Sequence, residues 1–371
     1  MTMVREFLKK QGRWLFTAVG MLGAVFAVAQ PVAYRHPIPF NPPAYICYRA
    51  ETPLTIDGRL DEPSWKHAPR TGDFTDIEGA LKPGPSLWTE VRMLWDQQYL
   101  YIGAYLEEFD LWATLTERDA VLFQDNDFEV FIDPDGDGWY YAELEINALN
   151  TLWDLLLFNP YHLASGIPFT NNWDLRGIQT AVHLEGTLNQ LPDGTDSCWT
   201  VEMAIPLQAL AELTTGKSLP AAGTQWRVNF SRVQWKLDVV NGVYQKTINP
   251  QTGKPFPERN WVWAPTGRID IHRPETWGWV QFSGRNAGDG PDTFRPDPSA
   301  SIQWGLWQLF YAQKEYRIRH GVYAKSLDAL AAPTIDGFRP EMSVYYNGFS
   351  ISASFGPLTY RITEKGRLEK F

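Results

Sequence analysis

The sequence predicts a mainly β protein: an antiparallel β-sandwich, immunoglobulin-like or jelly-roll-like, followed by a small C-terminal α+β module. Three observations carry this. Short stretches of alternating apolar and polar residues recur with turn residues between them. Long helical periods are scarce before residue 300, which favours a sandwich over an α/β sheet. Aromatics are abundant, with 17 Trp, 16 Tyr and 20 Phe, and such residues fill β-cores.

The strands can be placed in order. Val91–Trp95 and Leu100–Leu106 flank the polar turn Asp96–Gln98 and form a hairpin. Asp127–Ile132 alternates and is stopped by the acidic, glycine-containing loop Asp133–Gly138. Tyr140–Asn147 alternates again. Trp199–Ile205 leads through Pro206 into a short helix over Leu207–Leu213, and Gln225–Trp235 and Trp277–Phe282 complete the set.

The ends read differently. Arg5, Lys9, Lys10 and Arg13 precede an apolar run from Trp14 to Val28 that closes on Ala27-Val28-Ala29. This is the pattern of a secretory signal, with cleavage expected after Ala29. An uncleaved N-terminal anchor is the alternative, but the run is short for a bilayer span, which needs roughly 20 residues. No other stretch is long and apolar enough to cross a membrane, so the mature chain is expected in the periplasm or outside the cell. Residues 30–44 form a Pro-rich lead-in, 45–282 the sandwich, 283–299 a Gly- and Pro-rich linker, and 300–371 the α+β module. In that module Ile302, Leu306, Leu309 and Phe310 have helical spacing, Gly321 ends the helix, and Met342–Tyr346, Phe349–Phe355 and Leu358–Thr363 are strand-like.

The net charge of −10 excludes nucleic acid as an obvious partner, since phosphates need a basic surface. Asp133, Asp135 and Asp137 offer oxygens at every second residue around Gly136 and Gly138, an arrangement suited to Ca²⁺; a plain Asp-Pro-Asp-Gly turn is the alternative. The turn at Asp57, Gly58 and Asp61 is read as structural. Cys47 and Cys198, the only two cysteines, form one disulfide or remain a buried free pair.

Four motifs in order carry a resemblance: Pro53–Trp65 (PLTIDGRLDEPSW), Asp125–Asp133 (DNDFEVFID), Asn229–Trp235 (NFSRVQW) and Trp277–Phe282 (WGWVQF). Together they are similar to the carbohydrate-binding module family 9-like domains, over about Tyr45 to Phe282. The resemblance implies non-catalytic binding of a sugar or glycan end in polysaccharide catabolism, the sugar clamped between two aromatic side chains with carboxylates and amides on its hydroxyls. In the family a tryptophan precedes the strand glutamate by six residues; here Glu129 matches the glutamate and Phe123 fills the aromatic place. Asn147 matches a polar contact, and Glu145 stands where an arginine is usual. The second aromatic wall is expected near Arg259, at Trp261 in preference to Trp263. Core packing is the competing reading for the two tryptophans, and simple solvation for the two glutamates.

Two other functions remain open. A glycoside hydrolase needs a facing carboxylate pair, and with 43 acids a pair can always be imagined, but none lies in a recognisable hydrolase motif. A haem-binding sandwich for electron transfer would use Met93, Met203 and His183 as candidate ligands. In the tail, Phe310–Leu330 resembles a helix-to-turn segment of type IV pilin-like proteins, which implies a docking or protein-interaction module.

Overall fold

The computed structural model of the chain describes residues 31–164, 166–191 and 195–371; the expected signal segment and its cleavage point lie outside them. The first strands are β1 (Ala44–Arg49), β2 (Thr75–Asp76), β3 (Thr89–Trp95), β4 (Tyr99–Glu107) and β5 (Asp127–Asp133). Next come β6 (Tyr141–Asn147), β7 (Leu152–Leu157), β8 (Phe169–Thr170), β9 (Gln179–Glu185) and β10 (Cys198–Pro206). They are followed by β11 (Gln225–Gln234), β12 (Leu237–Val240), β13 (Val243–Lys246), β14 (Arg259–Val262) and β15 (Gly278–Asn286). The C-terminal strands are β16 (Glu341–Val344), β17 (Phe349–Phe355), β18 (Leu358–Thr363) and β19 (Leu368–Lys370). Helices α1 (Pro63–His67) and α2 (Leu207–Ala211) are short, and α3 (Ala300–His320) is long. No helix among the described residues is long and apolar enough to cross a membrane.

The hairpin β3–β4 forms as its turn chemistry dictates: Asp96 Oδ1 accepts the backbone N–H groups of Gln98 and Tyr99, each at 2.7 Å, which closes the bend. The main sheet runs β8-β7-β6-β5-β11-β15-β1-β3-β4-β10-β9, with β14 joined to β11 and β2 to β14. Its two halves lie face to face. Phe128, Val130, Ala142 and Leu144 from one half share a single core with Val91, Met93, Ile102 and Val201 from the other, as two inner sandwich faces do. The fold is therefore mainly β and sandwich-like, but the sheet is mixed. β1 runs parallel to both β15 and β3, because it enters from the lead-in and not through a hairpin turn.

The Asp57–Gly58 turn is structural. Gly58 has φ 85°, and a Cβ there would stand 2.7 Å from the backbone of Val182 and His183, so only glycine fits. Glu202 of β10 locks the turn by accepting N–H bonds from Asp57 (3.0 Å), Gly58 (3.1 Å) and Trp65 Nε1 (2.9 Å).

Strand position bears on two of the readings left open above. Cys47 and Cys198 are free and buried. β3 and β4 separate their strands, which at ~4.8 Å per strand puts them about 14 Å apart along the sheet, too far for a disulfide. The haem ligand set also fails: Met93 and Met203 flank Ile102 inside the core. Val182 and Leu184 pack on that core, so alternation along β9 turns His183 to the opposite face, where it meets Glu185 at 2.8 Å.

The C-terminal module is one helix, α3, packed on the sheet β16-β17-β18-β19 over its own apolar core. Gly321, with φ 73°, ends the helix. The module docks on the sandwich. Arg367 Nε donates to Asp137 Oδ2 at 2.7 Å, Leu368 N–H donates to the Asp137 carbonyl at 3.1 Å, and Tyr311 bonds Glu275 while accepting from Arg273. The connecting segment is not free either. β15 continues to Asn286, past the expected boundary at 283, and Gln281 bonds Thr293 and Arg295 at 2.9 Å each.

Candidate functional site

The outer face of the sheet at β5, β6 and β7 carries an acidic row. Alternation sends Phe128, Val130, Leu144 and Ile146 into the core and therefore Asp127, Glu129, Glu143 and Glu145 outward. Register then brings them together: Glu129 stands directly opposite Glu145, and Glu145 opposite Trp153. These charges are not solvated. Glu129 is 6% exposed and Glu145 2%, because loops fold over this face and leave a cleft of about 640 Å³.

Each wall of the cleft has an identifiable origin. Phe123 comes from the 3₁₀ turn Leu122–Gln124, fixed by its N–H bond to Glu145 Oε2 (3.0 Å) and by Trp235 Nε1 donating to its carbonyl (2.8 Å). Tyr161 and His162 come from the turn after β7, with Tyr161 edge-on to His272 at 4.4 Å. Glu258 and Asn260 enter from β14 and the residue before it, and Asp270 and His272 from the segment before β15.

The electrostatics follow from burial. Burial raises Glu129 to about 7, and the charge of Glu258 adds to this. Asp127, Glu143 and Glu145 are pushed well above the ordinary carboxylate range, first by burial and then by one another's charge or that of Glu129. His272 is held down to about 4 by burial. Its Nδ1 shares a hydrogen bond with Tyr141 at 3.0 Å. His162 Nδ1 pairs with Asp270 at 3.1 Å.

Of the residues expected at the site, the structure brings Phe123, Glu129 and Glu145 together around this cleft. It places the others elsewhere. Asn147 is fully buried and spent: its Nδ2 donates to Leu115 O and Asp125 Oδ2, and its Oδ1 accepts from Leu149 and Thr151. Trp261 and Trp263, 2% and 3% exposed, belong to the core. Their segment is no free loop, since β14 pairs with β11 on one side and β2 on the other. Arg232 lies 5.5 Å from the Trp261 ring. Arg259 is exposed and turned by alternation to the face opposite Asn260.

Two acidic clusters could hold a metal ion: Asp133, Asp135 and Asp137, of which Asp135 is exposed, and the buried set Asp127, Glu129 and Glu145. In each, one oxygen per residue lies within 4.8 Å of the others. In the first, Asp133 accepts N–H bonds from Gly136 (3.0 Å) and Gly138 (2.9 Å). Asp137 already holds Arg367, and burial still raises it to about 6.

Sequence reasoning missed Glu143, Trp153, Tyr161, His162, Glu258, Asn260, Asp270 and His272. A signal existed for Glu143, which alternation along β6 puts on the face of Glu145. The loop residues had none.

The family described as carbohydrate family 9 binding domain-like matches residues 56–229. Among solved structures, a protein of Bacteroides uniformis described as a candidate carbohydrate-binding protein is 16% identical; the match covers 66% of this chain and 100% of that one, at a TM-score of 0.48. A carbohydrate binding module family 9 from Caldicellulosiruptor kristjanssonii, in complex with cellotriose, is 16% identical over 68% of this chain and 100% of that one, at a TM-score of 0.40. The same organism's family 9 module in complex with glucose is 15% identical at the same coverage, with a TM-score of 0.38. No curated protein matches the chain. Residues 56–229 are a carbohydrate-binding module family 9-like domain.

Proposed function

We propose that the cleft beside Phe123, Glu129 and Glu145 binds a sugar or the end of a glycan without cleaving it, in an exported protein that serves polysaccharide use. The observation that carries this is the joining, in one cleft of a family 9-like domain, of aromatic rings with buried oxygen and nitrogen groups. A pyranose has an apolar C–H face that stacks on a ring such as Phe123 or Tyr161, while its hydroxyls need donors and acceptors beside it. Glu129, Glu145, Glu258 and Asn260 supply acceptors. Trp153, which lines the cleft, has its Nε1 buried without a protein acceptor and is a donor left over for a ligand. Phe123 offers less stacking area than a tryptophan, so a single sugar ring should bind weakly, with Kd on the order of millimolar.

A glycan array probed with the full chain tests the reading, with glucose and cellotriose included. Retention of one or more glycans, lost in Glu129→Ala, is the expected result. Absence of any retained glycan contradicts it, and release of reducing sugar from a bound glycan contradicts the non-catalytic part.

Calcium at Asp133, Asp135 and Asp137 belongs to the same reading. Alternating carboxylates around two glycines suit a hard cation, although Arg367 competes for Asp137. A Ca²⁺-dependent rise in Tm that Asp135→Asn reduces supports it; an equal rise in that variant places the ion elsewhere.

A further inference from the structure

We propose that Asp127, Glu129 and Glu145 hold a divalent cation beneath the cleft, whose lining includes Glu129 and Glu145. The three carboxylates come from two neighbouring strands, and their ligand atoms lie within 4.8 Å of one another. Oxygens bound to one Ca²⁺ at 2.3–2.6 Å span at most about 5 Å, so the spacing is that of a single coordination sphere.

The second observation is independent of that spacing. Asp127 is 0% exposed, and neither of its carboxylate oxygens has a hydrogen-bond partner. Glu143, outside the triad but on the same face, is 5% exposed and leaves Oε2 unpartnered as well. Buried carboxylates are normally bonded or paired. Neighbouring Asp125 shows what satisfaction looks like, accepting bonds from Thr114, Leu115 and Asn147. Nothing in the cleft lining neutralises the unpaired groups. No Lys or Arg is among the lining residues. His162 pairs with Asp270; His272 bonds Tyr141 through Nδ1 and sets Nε2 3.9 Å from Glu143 Oε1, but burial holds it down to about 4, so it brings no charge to Glu143 near neutral pH.

A cation removes this deficit. The donors are all oxygen, which selects a hard ion such as Ca²⁺ over zinc or copper. Two positive charges against three carboxylates cut the charge of the cluster from −3 to −1. The competing arrangement is protonation, with Asp127 and Glu145 sharing a proton. The cation site does not rest on the sugar reading, and its test uses the ion alone.

The test is a calorimetric titration of CaCl₂ into chelator-treated full chain carrying Asp135→Asn, which removes the exposed member of the other acidic loop. One saturating site is expected, weakened at least about tenfold by Asp127→Asn or Glu145→Gln, since carboxylate count sets affinity. Thermal melting guards against misfolding. In chelator both isosteric variants should melt at or above the parent, because each removes one of a set of mutually repelling buried carboxylates, and each should respond to Ca²⁺ less than the parent. No heat on titration, or undiminished binding in both variants, overturns the proposal in favour of the shared proton.

Discussion

The backbone N–H of Phe123 donates to Glu145 Oε2 at 3.0 Å, tying the aromatic wall of the cleft to its acidic floor. The bond spans 22 residues and holds the Leu122–Gln124 turn against β6. Glu145→Ala should free this turn, and Glu145→Gln should hold it, because the amide oxygen still accepts. Hydrogen exchange at the Phe123 amide reads the difference: an increase of about fivefold is expected in the alanine variant, the equivalent of ~1 kcal/mol of a lost bond. Equal exchange in both would mean the loop is held by Trp235 and its packing alone.

Trp261 has the opposite standing. It is a large, fully buried core side chain, so Trp261→Ala should destabilise the fold by roughly 3–5 kcal/mol. Denaturant midpoints measure this. Glycan binding per folded molecule should stay within about twofold of the parent; a specific loss of binding in a stable Trp261→Phe variant would return the residue to the site.

Glu202 gives the stability a pH dependence. Burial raises it to about 7 from an ordinary value of 4.5, against the opposing bonds from Trp65, Asp57 and Gly58. The folded state therefore holds the proton more tightly than the unfolded chain. Its contribution is complete below about pH 4.5 and is lost as pH rises through about 7. Equilibrium unfolding measured between those values should show a downward slope that Glu202→Gln flattens. An unchanged slope in that variant would assign the titration elsewhere.

The docking of the C-terminal module turns on Arg367 and Asp137, whose side chains are partly buried. Arg367→Ala should cost about 1 kcal/mol and loosen the joint. Limited proteolysis between residues 287 and 299 should then accelerate. Cleavage at an unchanged rate would show that Tyr311, Glu275 and Arg273 hold the module without help.

Much of the fold could be read in advance, for local reasons. The β3–β4 hairpin, β5, β6, β10 and β11 all show clean alternation, and Gly321 ends α3 where a left-handed residue is needed. β7 was missed because Leu152–Leu157 is an almost unbroken apolar run, which does not distinguish a strand from a helix. With β7 went Trp153, the residue opposite Glu145. At the site, Phe123, Glu129 and Glu145 were legible through motif resemblance. Asn147 and Trp261 were misplaced for one reason: alternation shows which face a side chain takes but not what covers that face. Asn147 meets the Leu115 loop, and Trp261 packs into the main core.

The central claim is that the cleft between Phe123 and Glu145 takes a sugar, and calorimetric titration of the best glycan ligand against wild type and Phe123→Ala tests it most directly. The account predicts saturable binding to one site in wild type, weakened about three- to tenfold in Phe123→Ala, as befits one stacked ring. Heat that persists undiminished in the variant, or no heat with any glycan, would contradict it.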